Sequence, residues 1–224
     1  MKRVLLLFSI LTISYFTTAQ TIGLQAGLNL ASQSIGSNES GGFTINTSSK
    51  AGFLIGVVAQ FPVSNAFAFR PELNYIQKGS KTTGETSDES VTIALNYLDI
   101  PLNLVYSSPA GNGQVFFGAG PTIGYGLSGY TKVKSGQQEI SQDIKFDGKS
   151  EDEVNDEYGH LKALDMGFNL MAGYSFSSGL FADAGYSFGL SNITPAVGSS
   201  LKNKGFFIKL GYCFGQEGKK GTKK

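Results

Sequence analysis

The sequence predicts an all-β fold, an eight-stranded antiparallel up-and-down transmembrane β-barrel. Three observations predict it. Apolar and polar side chains alternate with a two-residue period in eight stretches, the apolar side of those stretches carries no charge, and the gaps between them alternate long and short. Alternation of period two marks a strand whose two faces meet different surroundings.

Composition narrows the field before any pattern is read. The 224 residues are 41% hydrophobic but only 16% charged, against about 25% charged in soluble domains. Thirty Gly, 17 Phe and 10 Tyr, with no Trp, suit an aromatic and Gly-rich all-β chain. The 18 basic and 17 acidic side chains leave a net charge of +1, which argues against a nucleic-acid partner held by phosphate neutralisation. One Cys excludes an intrachain disulfide framework and a CxxC metal or redox site. One His leaves little room for metal or triad chemistry, so neither an enzyme nor a cofactor is expected.

The first element is an address. Lys2 and Arg3 precede an apolar stretch over 4–16, and Thr17-Thr18-Ala19 supplies small residues before a cleavage point near Ala19/Gln20. Residues 1–19 are therefore expected to be a signal peptide, too short for a permanent membrane helix. Beyond residue 20 no apolar run is long enough to span as a helix.

The eight strands follow, with outward apolar sets inside 22–28, 53–61, 67–75, 98–106, 115–125, 164–174, 180–190 and 206–214. Their other faces hold Gly, Asn, Gln and Ser, with Arg70, Glu72, Asp99, Asp165, Asp183 and Lys209 as the charged members. A soluble barrel would load its polar face with Lys and Glu; here that face is small and sparsely charged, as suits a narrow lumen. A charge on a lipid-facing wall costs roughly 2–4 kcal/mol at the bilayer midplane, so a charge-free apolar face is what hydrocarbon would select.

The gaps run approximately over 30–50, 62–65, 78–90, 107–113, 128–160, 177–179 and 191–203. Long alternating with short is the rhythm of extracellular loops and periplasmic turns, and the short ones carry turn residues such as Pro62, Asn65, Gly111, Asn112 and Gly179. Aromatics at segment ends predict two interfacial girdles: Phe61, Phe67, Tyr106, Tyr174, Tyr212 and Phe214 on the periplasmic side, and Tyr75, Tyr125 and Phe188 outside. Only helices and closed barrels satisfy every backbone group in lipid.

Two features break the pattern. Val91, Ile93 and Leu95 are odd-numbered while the apolar set from Leu98 onward is even, which implies a β-bulge near Asn96-Tyr97 or a strand that begins only there. Pro71, Pro101 and Pro121 each remove a ladder donor.

The strings Gly27-Leu28-Asn29, Phe69-Arg70-Pro71-Glu72-Leu73-Asn74-Tyr75 and Asn96-Tyr97-Leu98-Asp99-Ile100-Pro101-Leu102, with Gly118-Ala119-Gly120-Pro121 and Gly211-Tyr212-Cys213-Phe214, resemble the PorT-like outer-membrane β-barrel family. The resemblance spans the chain from residue 20. It implies a barrel domain over 20–214 embedded as a multi-pass protein in a bacterial outer membrane, and gives an address rather than an activity. Such barrels commonly end on an aromatic residue read by the assembly machinery; here Phe214 precedes a basic tail over 215–224, expected in the periplasm.

The inward charges Arg70, Glu72, Asp99, Asp165, Asp183 and Lys209 form the one candidate cluster, since charges in so narrow a lumen need partners. Arg70 is expected to meet Asp99, and Lys209 to meet Asp183. A plug that holds the barrel round is the favoured role, ahead of a narrow solute path. The acidic residues over 143–157 are expected to be a solvated loop rather than a Ca²⁺ site, His160 is not expected to be catalytic, and Cys213 fills space. The expected function is an outer-membrane barrel with a structural or interaction role through its extracellular loops. A small passive channel and a secreted lipocalin-like binder are the alternatives. Expected partners are outer-membrane lipid, the barrel-assembly machinery and other envelope proteins, with no nucleic acid.

Overall fold

The computed structural model describes residues 21–37, 44–84, 89–150 and 156–215. The expected signal peptide over 1–19, almost all of the basic tail, and Glu151, Asp152 and Glu153 of the acidic loop lie outside the described residues. The described chain forms strands β1 (Thr21–Ser37), β2 (Thr44–Asn46), β3 (Lys50–Pro62), β4 (Phe67–Thr83), β5 (Glu89–Ala110), β6 (Gly113–Ser135), β7 (Gln138–Lys145), β8 (Gly159–His160), β9 (Leu164–Phe176), β10 (Leu180–Gly189) and β11 (Ser199–Phe214).

Eight of these close a ring in the order β1-β3-β4-β5-β6-β9-β10-β11, with β11 returning to pair antiparallel with β1 from Ile22↔Phe214 to Ser37↔Ser199. Every neighbouring pair in the ring is antiparallel, so the barrel is of the up-and-down kind. The periplasmic turns are tight. Gly111 and Asn112 alone join β5 to β6, and Gly111 sits at φ 58, the left-handed region that suits glycine in such a hairpin.

The alternation places charge and grease as the sequence expects. Along β11, Ile208 is 49% and Leu210 66% exposed on the outer wall, while Lys209 between them is 3% exposed and inside. Outward aromatics pair near the rims, Phe67 with Tyr106 (ring centroids 5.3 Å) and Tyr212 with Phe214 (5.3 Å) at the periplasmic end, Tyr186 with Phe188 (4.6 Å) at the other.

The long gaps hold more strand than expected. β4 continues to Thr83, β5 starts at Glu89, and β6 runs to Ser135 and folds back as β7, so the expected loop over 128–160 contains an extramembrane hairpin. The frame slip near Asn96 also has a different origin. Register does shift there, but the extra residue is Leu127 of β6, skipped between Asn96↔Ser128 and Tyr97↔Gly126. β5 itself keeps one alternation throughout. Leu95 is wholly buried and Ile93 packs beside it because the extracellular end of the lumen is closed by an apolar layer of Tyr97, Leu161 and Ile193, with Phe146 against it. Apolar residues there face in; below, they face lipid.

The three prolines line up as a seam. The β3–β4 ladder lapses between Val58↔Glu72 and Phe61↔Phe69, beside Pro71. The β4–β5 ladder lapses between Pro71↔Leu102 and Asn74↔Asp99, beside Pro101, and the β5–β6 ladder between Pro101↔Thr122 and Leu104↔Ala119, beside Pro121. Each missing donor thus falls where pairing is already interrupted.

Candidate functional site

The barrel interior is filled from both ends toward a charged middle. Period-two alternation on β4, β10 and β11 aims Arg70, Glu72, Asp183 and Lys209 inward, all at most 4% exposed. Lys209 Nζ lies 2.7 and 2.9 Å from the two Glu72 oxygens, and 3.4 Å from Asp183 Oδ1. Arg70 Nη2 donates to Asp183 Oδ2 at 3.2 Å, and its Nε lies 3.4 Å from Glu72 Oε1 as a charge contact. Gln25 Nε2 on β1 donates to Glu72 Oε2 at 2.7 Å, and Asn74 Nδ2 donates to the same oxygen at 3.0 Å. The Arg70 guanidinium lies over the rings of Phe181 (4.5 Å) and Phe116 (5.2 Å), which close the lumen on the periplasmic side. Two cations face two carboxylates, so this cluster is neutral.

Asp99 and Asp165 belong to a second cluster nearer the extracellular end. Lys78 Nζ bridges them, 3.0 Å from Asp99 Oδ2 and 3.1 Å from Asp165 Oδ2. Asn203 Nδ2 donates to Asp165 Oδ2 at 3.0 Å, and Ser191 Oγ donates to Asp165 Oδ1 at 3.1 Å. Gln33 Nε2 in turn donates to Asn203 Oδ1 at 2.9 Å, and Ser80 Oγ donates to Gln33 Oε1 at 2.8 Å. The Tyr97 ring lies 4.7 Å from the Lys78 ammonium.

All six inward charges from the sequence reading sit where a partner of opposite sign is within reach, but the pairing differs. Arg70 meets Asp183 and Glu72, not Asp99; Asp99 meets Lys78, which falls in the gap expected over 78–90. Arg70 and Asp99 lie in different clusters because the Asn103↔Arg70 and Asp99↔Asn74 registers set them apart along the lumen. The Lys209–Asp183 contact is present, from strands in direct register. Cys213 is buried beside the periplasmic group.

Outside the bilayer the acidic loop has its own order. His160 Nδ1 lies 2.8 Å from Asp147 Oδ1 and its Nε2 2.9 Å from Asp156 Oδ1, with the imidazole side chain only 2% exposed. Lys145 Nζ pairs with Asp156 Oδ2 at 2.9 Å and lies over the Tyr158 ring. The segment is tied down through Leu161 N to Lys145 O (2.9 Å) and Lys162 N to Ile193 O (2.8 Å), which seats Leu161 and Phe146 over the lumen. Hydrogen bonds donated to the two carboxylates raise the His160 pKa above its ordinary 6.5, and the same contacts lower Asp147 and Asp156 below 3.8.

Arg70→Ala is expected to lower stability by about 3–5 kcal/mol, because it leaves Asp183 buried with half its positive partners; denaturant titration of the refolded barrel measures it. The His160 latch is complete between about pH 4 and 6.5, where the imidazole is charged and both carboxylates are ionised. It fades as pH rises through the raised His160 value, and again as pH falls through the lowered Asp values. His160 is the chain's one histidine, so its proton NMR titration is unambiguous. A midpoint above 6.5 that falls in Asp147→Asn is expected.

A closed antiparallel barrel whose membrane-spanning wall is apolar and charge-free outside, with the charges of those spans paired inside, is a transmembrane β-barrel. The chain belongs to the outer membrane protein beta-barrel domain family, whose model matches residues 18–195, and the protein is located in the bacterial outer membrane. Among solved structures, it is similar to Ail, the attachment invasion locus protein of Yersinia pestis, at 13% identity and TM-score 0.41, over 88% of this chain and 100% of that one. It is also similar to Neisserial surface protein A at 12% identity and TM-score 0.44, over 87% of this chain and 98% of that one. No curated protein matches the chain.

Proposed function

We propose that this outer-membrane barrel has a structural and interaction role, holding its extramembrane β-structure outside the cell as a surface for envelope or extracellular partners. The observation that carries this reading is the division of the molecule into a side-chain-filled lumen and an extended outer end. Below, Arg70, Phe116 and Phe181 crowd the periplasmic side; above, Tyr97, Phe146 and Leu161 cover the extracellular side. Outside, the β6–β7 hairpin presents Val133 and Ile140, 42% and 69% exposed. A filled lumen supports a scaffold over the passive-channel alternative, and an apolar outer wall is at odds with a soluble lipocalin-like binder.

In this reading the chain is of the PorT-like kind and non-enzymatic. Residues 1–19 are a signal peptide, 20–214 the barrel and 215–224 a periplasmic tail. Its partners are outer-membrane lipid and, during assembly, the machinery that reads a signal ending at Phe214. Planar-bilayer recording is expected to show no unitary conductance for the wild type and little for Arg70→Ala. Purification from native membranes in mild detergent is expected to retain partners that are lost when residues 131–143 are deleted. Stable conductance steps, or an unchanged set of co-purifying proteins without the hairpin, would contradict the proposal.

A further inference from the structure

At one height of the lumen, part of the wall carries no side chains. Register places Thr122, Gly167 and Gly189 in one row across β6, β9 and β10, with Pro101 of β5 beside Thr122. Asp99, Gly124 and Asp165 stand in the row above, and Gly120, Asn169, Ser187 and Gly205 in the row below. Glycine keeps the space open, since a Cβ on Gly167 would stand 3.0 Å from Thr122 Cγ2. What remains is a cavity of about 40 Å³ between the two charged clusters, lined by Lys209 and Glu72 of one and by Lys78 and Asp99 of the other.

Charge selects no ion for this cavity. Lys78, Lys204 and Lys209 line it with Glu72, Asp99 and Asp165, so the two signs balance. Both Asp165 oxygens are taken, Oδ1 by Ser191 and Oδ2 by Lys78 and Asn203. Asp165 and Asn169 lie roughly 13 Å apart along β9 at about 3.3 Å per residue, too far for one bound atom to join. The lining lacks hydrogen-bond partners instead. Asp99 Oδ1, Thr122 Oγ1 and Asn169 Oδ1 have none, on residues at most 6% exposed, and a buried polar atom without a partner is costly. The occupant must be neutral, must donate to a carboxylate and an amide oxygen, and must bond a hydroxyl. Water does all three, and several waters in line span the distance.

We propose that the cavity binds a short chain of ordered water, about three molecules at the ~10–15 Å³ each one needs, running from Asp99 past Thr122 to Asn169. The first donates to Asp99 Oδ1, the next bonds the Thr122 hydroxyl, and the last donates to Asn169 Oδ1. A bridging water is nearly as favourable as a direct hydrogen bond. The chain therefore packs the gap that glycine leaves and joins the extracellular cluster to the periplasmic one across it. The inference rests on the sealed lumen of the proposed function, in which Tyr97 and Leu161 above and Phe116 and Phe181 below keep these waters from exchanging quickly with solvent.

The test is ¹⁷O magnetic relaxation dispersion on the full chain refolded in zwitterionic detergent micelles, referenced to protein-free micelles. The oxygen nucleus reports water alone, so exchanging hydroxyl and ammonium hydrogens do not contribute. A dispersion worth about three or more long-lived waters is expected, the same in NaCl and in choline chloride at equal ionic strength. Thr122→Val combined with Asn169→Leu puts apolar groups of similar shape in place of two of the three partners, and is expected to remove about two of those waters. Thr122→Val alone, expected to remove about one, serves equally if the double variant does not refold. No dispersion in the wild type, or an undiminished one in the variants, overturns the proposal. A dispersion that shrinks as Na⁺ replaces choline gives the cavity to an ion and overturns it too. Conductance reports separately: a silent barrel without dispersion overturns the water site alone, and stable conductance steps overturn the sealed lumen on which it rests.

Discussion

Hydrocarbon on one side of a single-layered wall governs the rest of this structure. A wall one strand thick has no second layer to hide behind, so each residue faces either lipid or the lumen. Outward positions carry no charge across the membrane-spanning parts of β1, β3, β4, β5, β6, β9, β10 and β11. Every charge those strands bury is therefore driven into a narrow interior, where it must find its partner among other inward residues. Arg70, Glu72, Asp183 and Lys209 meet from three different strands for that reason, and Lys78 reaches both Asp99 and Asp165. The same confinement makes the partnership long-range in sequence, since Lys209 and Glu72 come together only when β11 closes onto β1. Closure and charge pairing stabilise one another.

Much of this was legible in the sequence because lipid imposes contrast. Where hydrocarbon meets one face and a polar interior the other, the alternation is sharp, and the eight membrane segments and their order can be read directly. Above the bilayer the contrast disappears while the ladder continues. From Gln77 to Thr83 no apolar residue marks the outer face, yet β4 persists and pairs with β5 to Ser90, so nothing in the pattern separates Lys78 from a loop residue. The reverse occurs at Ile93 and Leu95, whose apolar character reflects an inner apolar layer and mimics a slip in β5. Phe116, Phe181 and Phe207 are inward neighbours of outward apolar residues, and a run that is apolar on both faces carries no periodic signal at all.

Which charge pairs with which is less legible still. Alternation fixes the face of a residue but not its height in the lumen, and height depends on the stagger accumulated round the ring. Asp183 and Lys209 are in direct register on adjacent strands and could be anticipated. Arg70 and Asp183 are not neighbours in the sheet; they meet across the interior. The His160 latch lay in a segment read as a solvated acidic loop, and nothing in its spacing announces that Asp147 and Asp156 close on the two imidazole nitrogens.

The assignment of faces can be tested directly because the chain contains no Trp and any tryptophan introduced reports alone. Leu104→Trp and Leu170→Trp on the outer wall, and Phe116→Trp and Phe207→Trp inside, would be refolded separately into vesicles of brominated phospholipid. Strong fluorescence quenching at 104 and 170 with little at 116 and 207 is the expected result. Equal quenching at all four positions, or none at the outer pair, would contradict the account.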